Sequence, residues 1–229
     1  MHKPTILHDR YLKADIEHLP LLRFGGQIVV VDTQAEVAPA LRALKRVQLV
    51  GIDTETKPTF HAGQHHKVAL LQIATSRTAY LFRLCKIGLP QELLDWLQDG
   101  RQLKVGLSLK DDWHQLHERA DFNPRHTLDL QQMVRRFGIE DLSLQKLCAN
   151  ILGGRISKRE QLSNWEAPSL SPRQMLYAAT DAWACLRLYQ RLRHLETTRN
   201  FCLHSRIDTA GLIDNVIKTL LEDGATQNH

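Results

Sequence analysis

The residues best suited to chemistry in this sequence are carboxylates. Asp53 and Glu55 close the apolar segment LVGIDTE. In an extended chain, residues two apart point to the same side. The spacing therefore sets two carboxylates together at a strand end. Such a pair makes a hard-cation site, because Mg²⁺ and Mn²⁺ prefer oxygen ligands and their charge offsets the repulsion between neighbouring carboxylates. The spacing alone decides little. Asp15 and Glu17 repeat it, with Tyr11 four residues before Asp15, yet no strand precedes them and no capped helix surrounds them. Two further acids have better surroundings. Asp111 follows a second apolar segment, LKVGLS, near the entry to a helix. Asp181 lies in YAATDAWA, one i,i+4 step after Tyr177, so the two side chains share a helix face. Asp has poor helix propensity, and neither i,i+4 neighbour of Asp181 (Tyr177, Cys185) is basic. Asp181 therefore needs a partner elsewhere in the fold.

The elements that must position these acids follow from hydrophobic period and turn chemistry. QIVVVD at 27–32 reads as a short strand. Val37, Leu41, Leu44 and Val47 then recur at near-helical spacing, with Pro39 in the first turns. QLVGIDT at 48–54 reads as a buried strand, and 68–74 with 79–84 as a hairpin around 75–78. The pattern then alternates. A helix at 90–98 stopped by Gly100 precedes the strand at 103–108, and a helix at 111–119 precedes a short strand at 126–128. Helical stretches at 130–137 and 143–152 lead into an irregular loop at 153–170. Ser171 is a fitting N-cap, Pro172 suits the first helical position and Gln174 completes a capping box, so a helix runs from there to about Leu195. One more amphipathic stretch lies at 210–221. A three-strand meander followed by alternating helices and strands predicts an α/β fold, a mixed sheet flanked by helices. Residues 1–26 read as an N-terminal extension, 27–195 as the domain, and 196–229 as a C-terminal helical extension and tail.

Composition narrows the classes. With 229 residues, 43% hydrophobic and 24% charged, the chain has the balance of a globular protein. No apolar run approaches the ~20 residues needed to cross a bilayer, so no membrane partner is expected. The polar N-terminus, MHKPTILHDRYLK, has no apolar core of a secretory signal. Four dispersed cysteines without zinc spacing read as reduced thiols, which predicts a cytoplasmic protein. A net charge of +5 and a pI near 9.1 favour polyanionic partners such as nucleic acid.

Taken together, an early Asp-x-Glu, a middle Asp and a late Tyr-x-x-x-Asp resemble the DEDD superfamily of 3′–5′ exonucleases. The resemblance is to its DEDDy branch, shared by ribonuclease D and the Werner-type exonuclease domain. It is carried by LVGIDTETKP, by KVGLSLKDDWHQL and by LSNWEAPSLSPRQMLYAATDAWACLRLY, in the family's order, across about Gln27 to Leu195. It implies an RNase H-like fold with a mixed five-stranded sheet. It also implies two divalent cations, Mg²⁺ or Mn²⁺, and a nucleic acid with a free 3′ end as substrate. Asp53 would bridge both ions, Glu55 and Asp181 would complete the nucleophile side, and Asp111 would support the leaving-group side. Asp111 matches because it stands two before Trp113, as in the Werner-type Asp-x-Trp pattern; Asp112 is its rival. Tyr177 would orient the attacking water, its ordinary pKa of about 10 making it a poor base on its own. GIDTETKP and YAATDAWA lean toward Werner-like enzymes and so toward DNA. Only 34 residues follow Leu195, too few for the helical accessory domain that follows the catalytic domain in ribonuclease D. Ribonuclease D-like trimming of RNA 3′ ends and a non-catalytic nucleic-acid-binding module are the alternatives.

Other residues are candidates for substrate contact. Arg155, Lys158 and Arg159 could hold phosphates of the incoming strand, or be a solvated basic loop. Trp113 and Trp165 could stack on a terminal base, or be core, with Phe60 a weaker candidate for stacking. His65 and His66 read as exposed, His114 and His117 as structural, and Asp129 as a hydrogen-bonding group near the site.

Overall fold

The structure, a computed structural model, describes residues 3–60 and 63–205. The strands are β1 (Thr5–His8), β2 (Gln27–Val31), β3 (Leu49–Glu55), β4 (Leu70–Ala74), β5 (Thr78–Phe82), β6 (Leu103–Gly106), β7 (Thr127–Asp129) and β8 (Phe201–His204). The helices are α1 (Lys13–Ile16), α2 (Gln34–Leu44), α3 (Leu84–Ile87), α4 (Gln91–Leu97), α5 (Leu109–His117), α6 (Leu130–Arg135), α7 (Leu144–Leu147) and α8 (Pro172–Thr198). A π-helical turn, Cys148–Leu152, continues α7. The amphipathic stretch expected at 210–221 lies outside the described residues.

The main sheet has the order β2-β5-β4-β3-β6-β7. The expected hairpin and meander are present: β3–β4 and β4–β5 are antiparallel, while β2–β5, β3–β6 and β6–β7 are parallel. The sheet has six strands where the family resemblance implied five, and each of the six corresponds to a strand segment read from the sequence. Strand parity divides the core. Val50 and Ile52 of β3, with Leu71 and Ile73 of β4, face α2, α4 and α5 in one apolar cluster. The opposite face, with Leu70, Ala74, Ala79 and Leu81, receives Ala178, Ala179 and Ala182 of α8. Gly51, Asp53 and Glu55, by the same alternation, belong to the α8 face.

The capping box of α8 forms as the sequence dictates. The Gln174 N–H donates to Ser171 Oγ at 3.2 Å, and the Ser171 N–H donates to Gln174 Oε1 at 3.0 Å. Residues before β2 are stitched to the rest. Strand β1 pairs in parallel with β8 from Thr5↔Phe201 to His8↔His204. Asn150 of the π-turn accepts from His8 N at 2.9 Å and donates to His8 O at 2.6 Å, acting as a second partner for that strand. Phe24 is buried against Trp183. Among the described residues no helix is long and apolar enough to cross a membrane.

Candidate active site

The site forms where β3 passes beneath α8. Gly51 permits the crossing. A Cβ there would stand 2.9 Å from the Ala182 carbonyl carbon and 3.0 Å from Leu186 N, and closer still to the Ala182 oxygen. The alanines of YAATDAWA have the matching property, side chains short enough for the helix to lie on the strand. This close approach brings Asp181 and Tyr177 to Asp53 and Glu55. Asp53, Glu55 and Asp181 each offer an oxygen within 4.8 Å of the others.

A fourth carboxylate enters from α5. Asp112 accepts a short hydrogen bond from Thr54 Oγ1, and its charge acts on both Asp53 and Glu55. Helix α5 is held in place by Asp129 at the end of β7. That carboxylate accepts from Ser108 N at 3.2 Å and Leu109 N at 2.9 Å, and caps α6 through Gln131 N at 2.9 Å. Ser108 is left-handed, with φ 60, a conformation non-glycine residues rarely adopt. Its Oγ is held by Gln131 Nε2 at 2.6 Å.

Crowding four acids in a buried site disfavours their charged forms. Burial, then the charges of Asp112, Asp181 and Glu55, holds Asp53 well above the ordinary carboxylate range. Burial, then Asp181 and Asp112, pushes Glu55 up to about 9. Burial pushes Asp112 and Asp181 up to about 7, opposed in Asp112 by the Thr54 hydrogen bond and in Asp181 by a hydrogen bond from Tyr177 and the charge of Lys158. Burial, then the charges of Asp181, Glu55 and Asp53, raises the Tyr177 hydroxyl, which therefore stays protonated. Asp112 Oδ2 and Asp181 Oδ1 are buried without a hydrogen-bond partner. Such orphaned buried oxygens are costly. An all-oxygen donor set of mutually repelling carboxylates with unpartnered oxygens fits divalent Mg²⁺ or Mn²⁺.

Residues 28–195 match the family model described as 3′-5′ exonuclease. The chain belongs to this exonuclease family. It is 30% identical over 197 residues to a 3′-5′ exonuclease of Arabidopsis thaliana, covering 78% of this chain and 67% of that protein. It is also 30% identical to the bifunctional 3′-5′ exonuclease/ATP-dependent helicase WRN of Mus musculus, covering 82% of this chain and only 14% of that protein. Among solved structures, the Nibbler EXO domain of Aedes aegypti superposes with a TM-score of 0.69 at 23% identity, over 76% of this chain and 91% of that one. That likeness speaks to the fold alone, an α/β fold with a mixed sheet flanked by helices.

Within this exonuclease domain the structure brings together Asp53, Glu55, Tyr177 and Asp181, but not Asp111. Asp111 is exposed, whereas Asp112 is half-buried and its charge acts on Asp53. The reason is helical phase. The i−3 and i+4 neighbours of Asp112 are the buried Leu109 and Leu116, whereas those of Asp111 are the half-buried Ser108 and the exposed Gln115. The Asp-x-Trp match that favoured Asp111 is one residue out of phase with the inward stripe.

Both tryptophans are buried. Trp113 is packed edge-on against Phe122 in the core. Trp165 is 0% exposed, and its ring packs at a tilt of 41° against the Tyr177 ring, with centroids 5.9 Å apart. Arg155 and Arg159 line a cleft of about 500 Å³ that opens on Tyr177 and Asp181. Arg155 is half-buried, and its Nε donates to Leu19 O at 3.1 Å, so part of its role is structural. Lys158 is exposed, with its charge felt at Asp181. Phe60 is exposed. His65 pairs with Glu118 and His66 with Glu166, as separate surface contacts. His117 is structural: its ring nitrogens contact Trp113 O and Phe122 O. Arg23 and Arg173, which also line the cleft, escaped sequence reading because nothing local marks them.

Proposed function

We propose that this domain hydrolyses phosphodiester bonds at the 3′ end of a nucleic acid, releasing 5′-mononucleotides with two divalent cations. The observation that carries this reading is the group of Asp53, Glu55 and Asp181 with oxygens within 4.8 Å of one another, together with the unpartnered buried oxygens of Asp181 and the neighbouring Asp112. Asp53, Glu55, Asp181 and Asp112 would hold the ions. Bound there, the ions supply activation of water and stabilisation of the departing alkoxide.

The chain's own groups do the rest. The Tyr177 hydroxyl is protonated, so it orients the attacking water by hydrogen bond and does not act as its base. Trp165 against the ring and Asp181 beside the hydroxyl hold Tyr177 in place. Asp112 is fixed by Thr54, and its helix by Asp129. Arg155, Lys158 and Arg159 would hold the substrate's phosphates. The likeness of GIDTETKP and YAATDAWA to Werner-type enzymes favours DNA over RNA as substrate.

The test uses 5′-labelled single-stranded DNA and RNA of one sequence, with Mg²⁺, Mn²⁺ or EDTA, and Asp53→Ala as the control for contaminating nuclease. A ladder shortening from the 3′ end, lost with EDTA and in the variant, and faster on DNA, is the expected result. Faster shortening of RNA would reverse the substrate preference. Metal-dependent binding without cleavage would make the domain a nucleic-acid-binding module.

A further inference from the structure

Residues before the stretch that matches the family model build one wall of the cleft beside the acids. Leu21, Leu22 and Arg23 line it, together with Arg159, Arg173 and Tyr177. The wall is fastened at several points. Leu22 N donates to Arg155 O at 2.8 Å, and Arg155 N donates to Pro20 O at 2.9 Å, forming a short parallel bridge. Gly154 leaves no room for a Cβ against Leu22. Phe24 N donates to Thr180 Oγ1 at 3.1 Å, and Thr180 adjoins Asp181 in sequence, so the segment is anchored next to the acids.

The cleft has two kinds of lining. Leu21, Leu22 and Leu176 are apolar, while Arg23, Arg155, Arg159 and Arg173 carry positive charge against the single opposing charge of Glu160 and that of Asp181 at the reactive end. Among the described residues Arg23, Arg159 and Arg173 form no ion pair, although arginines elsewhere on the surface do, such as Arg10 with Glu140 and Arg101 with Asp99. Unpaired guanidinium groups beside apolar surface suit a single strand, whose phosphates want cations and whose base faces want apolar cover.

We propose that residues 21–23 and the arginines that line the cleft with them form a subsite for the single strand just 5′ of the scissile bond, with Arg23 contacting a backbone phosphate. This rests on the exonuclease reading above. The subsite makes the domain prefer a strand of several nucleotides to a minimal substrate.

The experiment compares the full chain with Arg23→Ala and Arg23→Lys. Two substrates are used: a single-stranded octamer, and a nitrophenyl ester of thymidine 5′-phosphate, which has no upstream phosphate. Losing one charge-assisted contact lowers the ratio of octamer kcat/KM to ester kcat/KM about tenfold in Arg23→Ala. Arg23→Lys restores most of it. The slope of log affinity against log salt falls by about 0.7 in Arg23→Ala, as expected for one phosphate contact on a single strand. An unchanged ratio overturns the proposal, whether both substrates are unaffected or both fall together, the mark of a merely structural residue. If the parent cleaves neither substrate, the exonuclease reading fails. The subsite is then judged by fluorescence anisotropy of the labelled octamer in EDTA: weaker binding and a smaller salt slope in Arg23→Ala uphold it, and equal binding overturns it.

Discussion

Gly51→Ala is the smallest change that should separate the acids without touching one. The added Cβ falls 2.9 Å from the Ala182 carbonyl carbon, 3.0 Å from Leu186 N and closer to the Ala182 oxygen. Ordinary carbon contacts lie near 3.5–4.0 Å, so α8 must shift by on the order of 1 Å. Both opposing groups are backbone, so no side chain can swing aside. Overpacking of this kind costs about 1–3 kcal/mol, which in a chain of this size lowers the melting temperature by roughly 2–12 °C. The effect on turnover is larger than on stability. Asp181 and Tyr177 ride on α8 while Asp53 and Glu55 stay on β3, so the shift widens a cluster whose oxygens lie within 4.8 Å. Mg²⁺ tolerates little departure from octahedral geometry, and a misplacement of about 1 Å can cost about 100-fold. The assay pairs a thermal melt in EDTA with Mg²⁺-dependent cleavage of a labelled oligonucleotide. Turnover within about twofold of the parent at full Mg²⁺ affinity would refute the argument that the Gly51 crossing sets the site.

Three further outcomes follow from the same geometry. Asp112→Asn should lower turnover by at least about 100-fold, whereas Asp111→Asn should change it by no more than about twofold; paired kinetics of the two variants decide which acid belongs to the site. The metal-free protein should lose stability as pH rises. Asp181 and Asp112 are raised from 3.8 to about 7, so the folded chain holds protons that the unfolded chain has released. Their contribution is complete below about pH 4 and lost through about pH 7, by up to about 4 kcal/mol for either acid alone. Denaturation midpoints in EDTA should therefore fall between pH 5 and 8, and Mg²⁺ should offset the fall; a flat or rising midpoint contradicts this. Trp165→Ala should destabilise the fold by about 3–5 kcal/mol, seen in a urea titration, because the ring is core packed against Tyr177. A stable variant with weakened substrate binding alone would return Trp165 to a stacking role.

Where local rules govern, the sequence was readable. The alternation in LVGIDTE predicts that Asp53 and Glu55 share a face, and the Ser171–Gln174 capping box marks the start of α8. The tight polar turn at 75–78 marks the hairpin of β4 and β5. Helical phase with Leu109 and Leu116 places Asp112 rather than Asp111 on the inward side of its helix, whereas the pattern match to Trp113 points to Asp111. Other features depend on distant residues and leave no local trace. The β1–β8 pairing joins residues almost 200 apart. Lys104 is fully buried in β6, its ammonium donating to the carbonyls of Asp99, Gln102 and Arg125, and no strand pattern announces a lysine there. Arg23 gains meaning only when Leu22 and Arg155 meet.

The central claim is that Asp53, Glu55, Asp112 and Asp181 together hold two divalent cations. Anomalous diffraction from crystals soaked in Mn²⁺ with a non-hydrolysable oligonucleotide tests it most directly. The account predicts two manganese peaks sharing Asp53, with Glu55, Asp181 and Asp112 around them and Asp111 in solvent. Manganese bound through Asp111, or no manganese among the four acids, would contradict it.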